Sequence, residues 1–303
     1  MRHVRSIRPG RGPDAGLPEP IAVSRRTRLL KPLRHGAVLA GCLFTANLFL
    51  VVAPDAGTLG FDAYAYWSID PLDPYRVGVG GLGAFNYSPV IARLFQPFGL
   101  LDWLSFLWIW LALLLGTVIW LGERGHRVLW LLAFPPVALE LYHGNVHLFL
   151  AAAIALGFRY PWTWAFVVLT KVTPGVGLVW FLVRREWRSL AIAVGATALI
   201  AGVSFALDRA SWEGWIALLR TTPEGGSVAQ FQIPIPLVVR LPASLALVAW
   251  GGLTNRRWTV PLAATLALPV LWVSGFAICA AAVRRPGSSM GAHPVRPARI
   301  AAG

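Results

Sequence analysis

The stretch Trp103-Leu-Ser-Phe-Leu-Trp-Ile-Trp-Leu-Ala-Leu-Leu-Leu-Gly-Thr-Val-Ile-Trp-Leu-Gly122 contains no charged residue. Wound as an α-helix it rises roughly 30 Å, the thickness of a bilayer's hydrocarbon core. A second chargeless run covers residues 37–54. The chain has 303 residues, 56% of them hydrophobic and 13% charged, with a mean hydropathy of +0.62. A soluble domain carries about 25% charged residues. A strand-built barrel needs short segments that alternate apolar and polar positions, whereas these runs are unbroken Leu, Ala, Val and Trp. The fold class expected is therefore all-α: a polytopic transmembrane helix bundle of about eight to ten membrane segments. The 15 Trp fit the same environment, because indoles favour the membrane interface. Cys42 and Cys279 stand singly inside apolar runs and read as small packing residues, with no disulfide or metal site expected.

The net charge of +14 invites a nucleic-acid reading, but its distribution argues against one. Nine Lys/Arg lie within the first 36 residues and four Arg follow Val283. Others cluster in short turns: Glu123-Arg-Gly-His-Arg127, Arg184-Arg-Glu-Trp-Arg188 and Arg256-Arg257. Basic turns between apolar runs mark cytoplasmic loops and attract anionic lipid. The partners expected are membrane lipid and no nucleic acid. Residues 1–36 read as a disordered basic cytoplasmic leader, 37–283 as the membrane domain, and 284–303 as a basic cytoplasmic tail.

Charge also orients the runs. Residues 54–102 fall outside the cytoplasm and carry Asp55, Asp62, Asp70, Asp73 and Asp102, five of the 13 acidic residues. Within them, 61–69 and 89–101 read as short interfacial helices joined by a Gly-rich turn at 78–83. Residues 103–121 return to the cytoplasm, 128–142 lead out, and 145–158 come back through a tight turn at His143-Gly144. Residues 161–183 have Arg on both flanks. A hairpin turning near 171–174 would leave arms of about 11 residues, roughly 17 Å each. Such short arms require a tip that stops inside a protein-lined cavity. Residues 259–283 repeat the pattern, with a break expected at Pro269.

Several polar residues are candidates for chemistry, each with a plainer alternative. Asp62, in Gly60-Phe-Asp-Ala-Tyr-Ala-Tyr66, faces a membrane-surface site or is a helix cap or solvated loop acid. Asp70 and Asp73 lie beside prolines and read as turn residues. Lys171 either holds a phosphate as a point charge or snorkels to the surface. Glu140, His143, Asn145 and His147 bunch at one turn, where they form a site or act as polar glue between helices. His143 and His147 are four apart and share a face if one helix carries both; no third ligand at zinc spacing accompanies them. Arg240, following Gln230 and Gln232, binds phosphate or snorkels. No Gly-rich loop ending in Gly-Lys-Ser/Thr is present, so soluble nucleotide chemistry is not supported.

These residues, in this order, resemble the polyprenol-phosphate-sugar-dependent glycosyltransferases of the GT-C type, and within them glycosyltransferase family 87, the actinobacterial α-mannosyltransferases. Phe61-Asp62-Ala63-Tyr64 resembles the aspartate motif of the first outside loop. Tyr87-Ser88-Pro89, followed by Phe95-Gln96-Pro97, is similar to the segment leading into the second span. His143-Gly144-Asn145-Val146 resembles the family's Gly-Gln-Asn turn, and Lys171-Val-Thr-Pro174 its Lys-x-x-Pro helix. Pro269-Val-Leu-Trp272 resembles its late Ser-Pro-x-x-Trp motif.

The resemblance implies a GT-C-like bundle in the cell membrane, multi-pass, with its active site on the extracytoplasmic side. It implies a hexosyltransferase that needs no cofactor and takes mannose from a polyprenyl-phosphate donor to a glycolipid or glycan acceptor by inverting displacement. Asp62 would be the catalytic base, and Lys171, Arg240, His143, His147, Asn145, Tyr64 and Tyr87 would bind substrate, with no metal. A transporter or lipid flippase also uses broken helices and intramembrane charges, and an inactive relative of the enzymes is a third possibility. Against the transporter, the acids gather in one outside loop and no repeated halves are visible.

Overall fold

A computed structural model describes residues 21–123, 125–221 and 231–284. Among these the secondary structure is helical, with a single isolated antiparallel bridge, Gln232 to Trp272. Gln230, most of the leader and nearly all of the basic tail lie outside the described residues. Backbone contacts divide the chain into residues 1–37 and 38–303, and the site described below lies wholly in the second unit.

Helix α1 spans Ile21–Asn47 and so begins inside the leader expected to lack order. Residues 21–31 hold one Ala, two Leu, three Arg and one Lys beside Ile, Val, Ser and Thr, with neither Gly nor Pro, so good helix formers predominate. A π-turn at Leu48–Val52 and the short α2, Ala53–Ala56, carry the helix to its end at Gly57, where φ is +61°. Two short helices follow where they were expected: α3 (Phe61–Trp67) and α4 (Pro89–Phe95), the latter extended by a 3₁₀ turn at Gln96–Leu100. The long apolar helix α5 spans Trp103–Gly122. Asp102 caps it, accepting the Ser105 N–H at 3.0 Å, and that bond holds its carboxyl below the usual carboxylate range.

Beyond α5 come α6 (Gly125–Leu132), α7 (Pro135–His143) and α8 (His147–Gly157). Then follow α9 (Trp164–Thr170), α10 (Val179–Val183) and α11 (Trp187–Leu207). The last α-helices are α12 (Arg209–Thr221), α13 (Leu237–Leu253) and α14 (Thr259–Leu266), with a terminal 3₁₀ stretch at Val273–Val283. Three helices among the described residues are long and apolar enough to cross a membrane: Pro32–Ala56, Trp103–Gly122 and Trp187–Leu207. The pair α7 and α8 makes a fourth if counted as one span, but is bent by 118° at 144–146. Four shorter apolar helices complete the bundle: Pro161–Thr170, Thr173–Val183, Leu237–Leu253 and Val273–Val283.

The breaks fall where charge and proline placed them. The first apolar pair parts at Lys171–Val172 and the second between Leu266 and Val273. Irregular backbone within an apolar region must find its hydrogen bonds in protein. At the second break it does: Ile233 N–H donates to Leu271 O at 2.8 Å and Val273 N–H to Phe231 O at 2.9 Å.

Aromatic packing fixes α3 and α4 against α5. The indole of Trp110, 1% exposed, meets the rings of Tyr66, Phe95, Phe98, Phe106 and Phe149 at centroid distances of 5.2–5.6 Å. Each such pair contributes about 0.5–1.5 kcal/mol beyond simple burial. Because lipid tails are as apolar as the helices, specific packing of this kind holds a membrane bundle together.

Candidate active site

Two tethers bring the start of α3 onto the turn between α7 and α8. The Gly60 N–H donates to Tyr142 O at 2.8 Å, and Thr58 Oγ1 lies 2.5 Å from the Tyr142 hydroxyl. Gly144 ends α7 in the left-handed region, at φ +70°. A Cβ there would lie 2.7 Å from the Cβ of Ala63, so glycine is required both by the turn and by the approach of α3. The Gly144 carbonyl accepts the indole N–H of Trp110 at 2.7 Å, which ties the turn to the aromatic core. Through these contacts Asp62 and Asn145, remote in sequence, become neighbours.

The amide of Asn145 is oriented without ambiguity. Its Oδ1 accepts the N–H of Val146 at 2.7 Å and the hydroxyl of Tyr66 at 3.2 Å, with the Tyr87 hydroxyl at 3.5 Å. An atom that accepts a backbone N–H is the oxygen, so Nδ2 points the other way, toward Asp62 Oδ2 at 2.7 Å. Asp62 is half-buried, and its Oδ1 accepts no hydrogen bond from the described residues. One carboxylate oxygen is thus held and the other is available to a proton donor.

Over the ring of Tyr87 stands Lys171. Its Nζ lies 5.6 Å from the centroid of the Tyr87 ring and 2.7 Å from His147 Nε2. His147, fully buried, begins α8; its backbone N–H and its ring Nδ1 both meet the carboxylate of Glu140, the ring nitrogen at 2.9 Å from Oε2. Glu140 is also fully buried. The tyrosines complete the connection, with their hydroxyls 3.0 Å apart and their rings stacked at 5.8 Å. One hydrogen-bonded set thus joins Asp62, Asn145, Tyr66 and Tyr87, a second joins Lys171, His147 and Glu140, and the Lys171 ammonium over the Tyr87 ring brings the two together.

Five of the residues expected at the site meet here: Asp62, Asn145, Tyr87, His147 and Lys171. Three do not join the hydrogen-bonded set. Tyr64 packs its ring against Trp67 and Trp103, each at 5.5 Å. His143 is half-buried and meets the Tyr142 ring edge-on at 5.2 Å. The expectation that His143 and His147 share one helix face is corrected by Gly144, which ends α7 at His143, so that His147 opens a different helix.

Arg240 stands elsewhere. Its guanidinium, on the first turn of α13, donates to Ile235 O at 2.6 Å, to Leu268 O at 2.8 Å, to Pro269 O at 3.1 Å and to Leu266 O. The carbonyls at the end of α14 lack intrahelical donors, and a cation there satisfies them. The residue is 5% exposed and four of its five N–H groups meet main-chain carbonyls; none of these contacts joins it to the cluster around Asp62.

Two contributors, Tyr66 and Glu140, are not among the residues to which the sequence assigns a catalytic or binding role. Tyr66 follows Asp62 by four residues and so faces the same side of α3, a spacing that marks it once α3 is known to be a helix. Glu140 belongs to the polar bunch at the turn, but nothing in its neighbours distinguishes a site acid from interhelical glue. Asp70 and Asp73 are turn residues as read. Asp70 accepts the N–H groups of Leu72 and Asp73 at 2.9 and 3.3 Å, which hold its carboxyl below the usual range, and Asp73 accepts Tyr75 N–H at 3.1 Å. An apolar groove of about 510 Å³ opens between α4 and α11, with Arg93 and Asp208 among its lining, and none of the site residues border it.

Comparison with known proteins bears on what this arrangement does. No curated protein and no solved structure matches the chain. The sequence profile of glycosyltransferase family 87 matches residues 85–296. That interval takes in Tyr87, the 143–147 turn, Lys171 and Arg240, and starts beyond α3, so Asp62 and Tyr64 precede it. A match over well over half of the chain establishes the relationship: this protein belongs to glycosyltransferase family 87.

Proposed function

We propose that this membrane glycosyltransferase moves a hexose, mannose, from a polyprenyl-phosphate donor to a glycolipid or glycan acceptor at the extracytoplasmic face, by inverting single displacement. The observation that carries the reading is the pairing of Asp62, one oxygen anchored and one open, with the Lys171 ammonium across the same polar cluster. In the proposed step the acceptor oxygen attacks the anomeric carbon while the bond from that carbon to the phosphate oxygen breaks. The bonding pair leaves with the polyprenyl phosphate, and Asp62 Oδ1 takes the acceptor's proton. A phosphate is already a good leaving anion, so it requires a cation rather than a second carboxylic acid. Lys171 supplies that charge. The Asn145 amide fixes the rotamer of the base.

The test is the transfer rate of Asp62→Asn beside Asp70→Asn in one membrane assay with expression normalised. Removal of a general base typically costs about 10²–10⁴-fold. Full activity in Asp62→Asn would remove the catalytic assignment, and a dead Asp70→Asn would place the base on the wrong aspartate. Sidedness has its own test. An impermeant thiol reagent should modify Gly81→Cys in intact cells and spare Ser289→Cys; the reverse labelling would invert the proposed topology.

A further inference from the structure

We propose that Glu140 is a positioning residue that sets the tautomer of His147 and thereby aims Lys171 at the donor phosphate; this rests on the reading that Lys171 binds that phosphate. Donors and acceptors set the tautomer. An ammonium carries three N–H donors and no acceptor, so the His147 Nε2 that faces Lys171 Nζ at 2.7 Å must present its lone pair. A neutral imidazole with a bare Nε2 carries its proton on Nδ1, and Nδ1 faces Glu140 Oε2 at 2.9 Å. Glu140 Oε1 meanwhile accepts the backbone N–H of His147, the first residue of α8. Both carboxylate oxygens are therefore acceptors, a role the ionised acid fills best.

Both residues are 0% exposed, so bulk water reaches neither contact. A buried carboxylate is costly unless its oxygens are satisfied. Here the N-terminus of α8 and the imidazole satisfy them, with the helix dipole in the favourable sense. The result is a fixed imidazole whose lone pair takes one ammonium hydrogen and leaves the remaining ammonium N–H groups to a ligand.

Glutamine at position 140 cannot reproduce this. If its Oε1 accepts the His147 backbone N–H, its Nε2 faces the ring and forces the proton from Nδ1 to Nε2. The imidazole N–H then opposes the ammonium. If the amide flips, the backbone N–H of α8 loses its acceptor. Loss of the outer partner of a ligand-holding histidine typically costs about 10–100-fold in metal sites, and a similar loss is expected here in donor affinity.

The experiment is ¹⁵N NMR of histidine-labelled full-length protein in bilayers, with the His147 signal identified by its absence from His147→Gln. The wild type should show Nδ1 protonated and Nε2 bare, and Glu140→Gln should reverse them. In transfer assays Glu140→Gln should raise the donor KM at least about tenfold and change kcat less. Gln at position 147 can present its oxygen to Lys171, so adding Glu140→Gln to His147→Gln should change the donor KM little further. A wild-type spectrum with Nε2 protonated overturns the proposal, as does a full additional loss in the double variant. Lys171→Met separates the two claims. An unchanged donor KM in Lys171→Met means the phosphate-binding reading is wrong. A raised KM there, with none in Glu140→Gln, removes the role of Glu140 alone.

Discussion

Lys171 and Arg240 begin as the same kind of residue: a lone cation inside an apolar stretch, placed near a helix break. Their surroundings separate them. Arg240 faces main-chain carbonyls of Ile235, Leu266, Leu268 and Pro269, which take four of its five donors. Lys171 faces a neutral imidazole nitrogen and the edge of an aromatic cluster, and it shares that cluster with a half-exposed carboxylate. A guanidinium with several rigid donors suits the end of a helix, where carbonyls point the same way. A compact ammonium with rotatable donors suits an anion that arrives and leaves. In a membrane bundle, then, an ionisable residue signals function by what its partners leave unsatisfied, not by burial alone.

The contrast yields four expected outcomes, ordered by size. Asp62→Asn should lower the transfer rate about 10²–10⁴-fold at unchanged expression. Lys171→Met should raise the donor KM by about 10–100-fold, the loss of a charge-assisted contact of about 1.5–3 kcal/mol. The protein should still insert and keep its melting temperature, and an unaltered KM would mark Lys171 as a snorkelling residue. Arg240→Met should behave in the opposite way. Buried carbonyls left without donors cost about 1–3 kcal/mol each, so thermal unfolding in detergent should fall while the donor KM of the surviving protein stays close to wild type. A selective rise in KM would return Arg240 to the site. Asp70→Asn and Asp73→Asn should stay within about twofold of wild type in rate, because asparagine keeps the side-chain oxygen of these turns.

Much of the architecture is legible in the sequence because the bilayer reduces the question to length and charge. Chargeless runs give the long helices, Pro269 and Lys171 mark the interruptions, and prolines beside Asp70 and Asp73 mark a turn. The short helices at 61–67 and 89–95 follow from the same reading. What the sequence does not contain is the destination of a long side chain. Arg240 reads identically whether it meets a phosphate or a helix end, since three of the carbonyls it meets lie in residues 266–269, at and just beyond the end of α14. The face shared by His143 and His147 fails for a local reason, the positive φ of Gly144. The pairing of Asp62 with Asn145 depends on a tether between Gly60 and Tyr142 and on Ala63 packing at Gly144, neither of which has a periodic signature. Tyr66 was readable from its four-residue spacing to Asp62, once α3 is drawn as a helix.

The central claim is that this site transfers a sugar from a lipid phosphate. Membranes carrying the wild-type chain or Asp62→Asn, given radiolabelled polyprenyl-phosphate mannose in one set and a labelled nucleotide mannose in another, test it directly. Donor-synthesising activity should be absent from the host membranes. Labelled glycolipid or glycan should form from the polyprenyl-phosphate donor in wild-type membranes, fail to form with Asp62→Asn, and fail to form from the nucleotide sugar. Product made from the nucleotide sugar, or equal product from the two chains, would contradict the account.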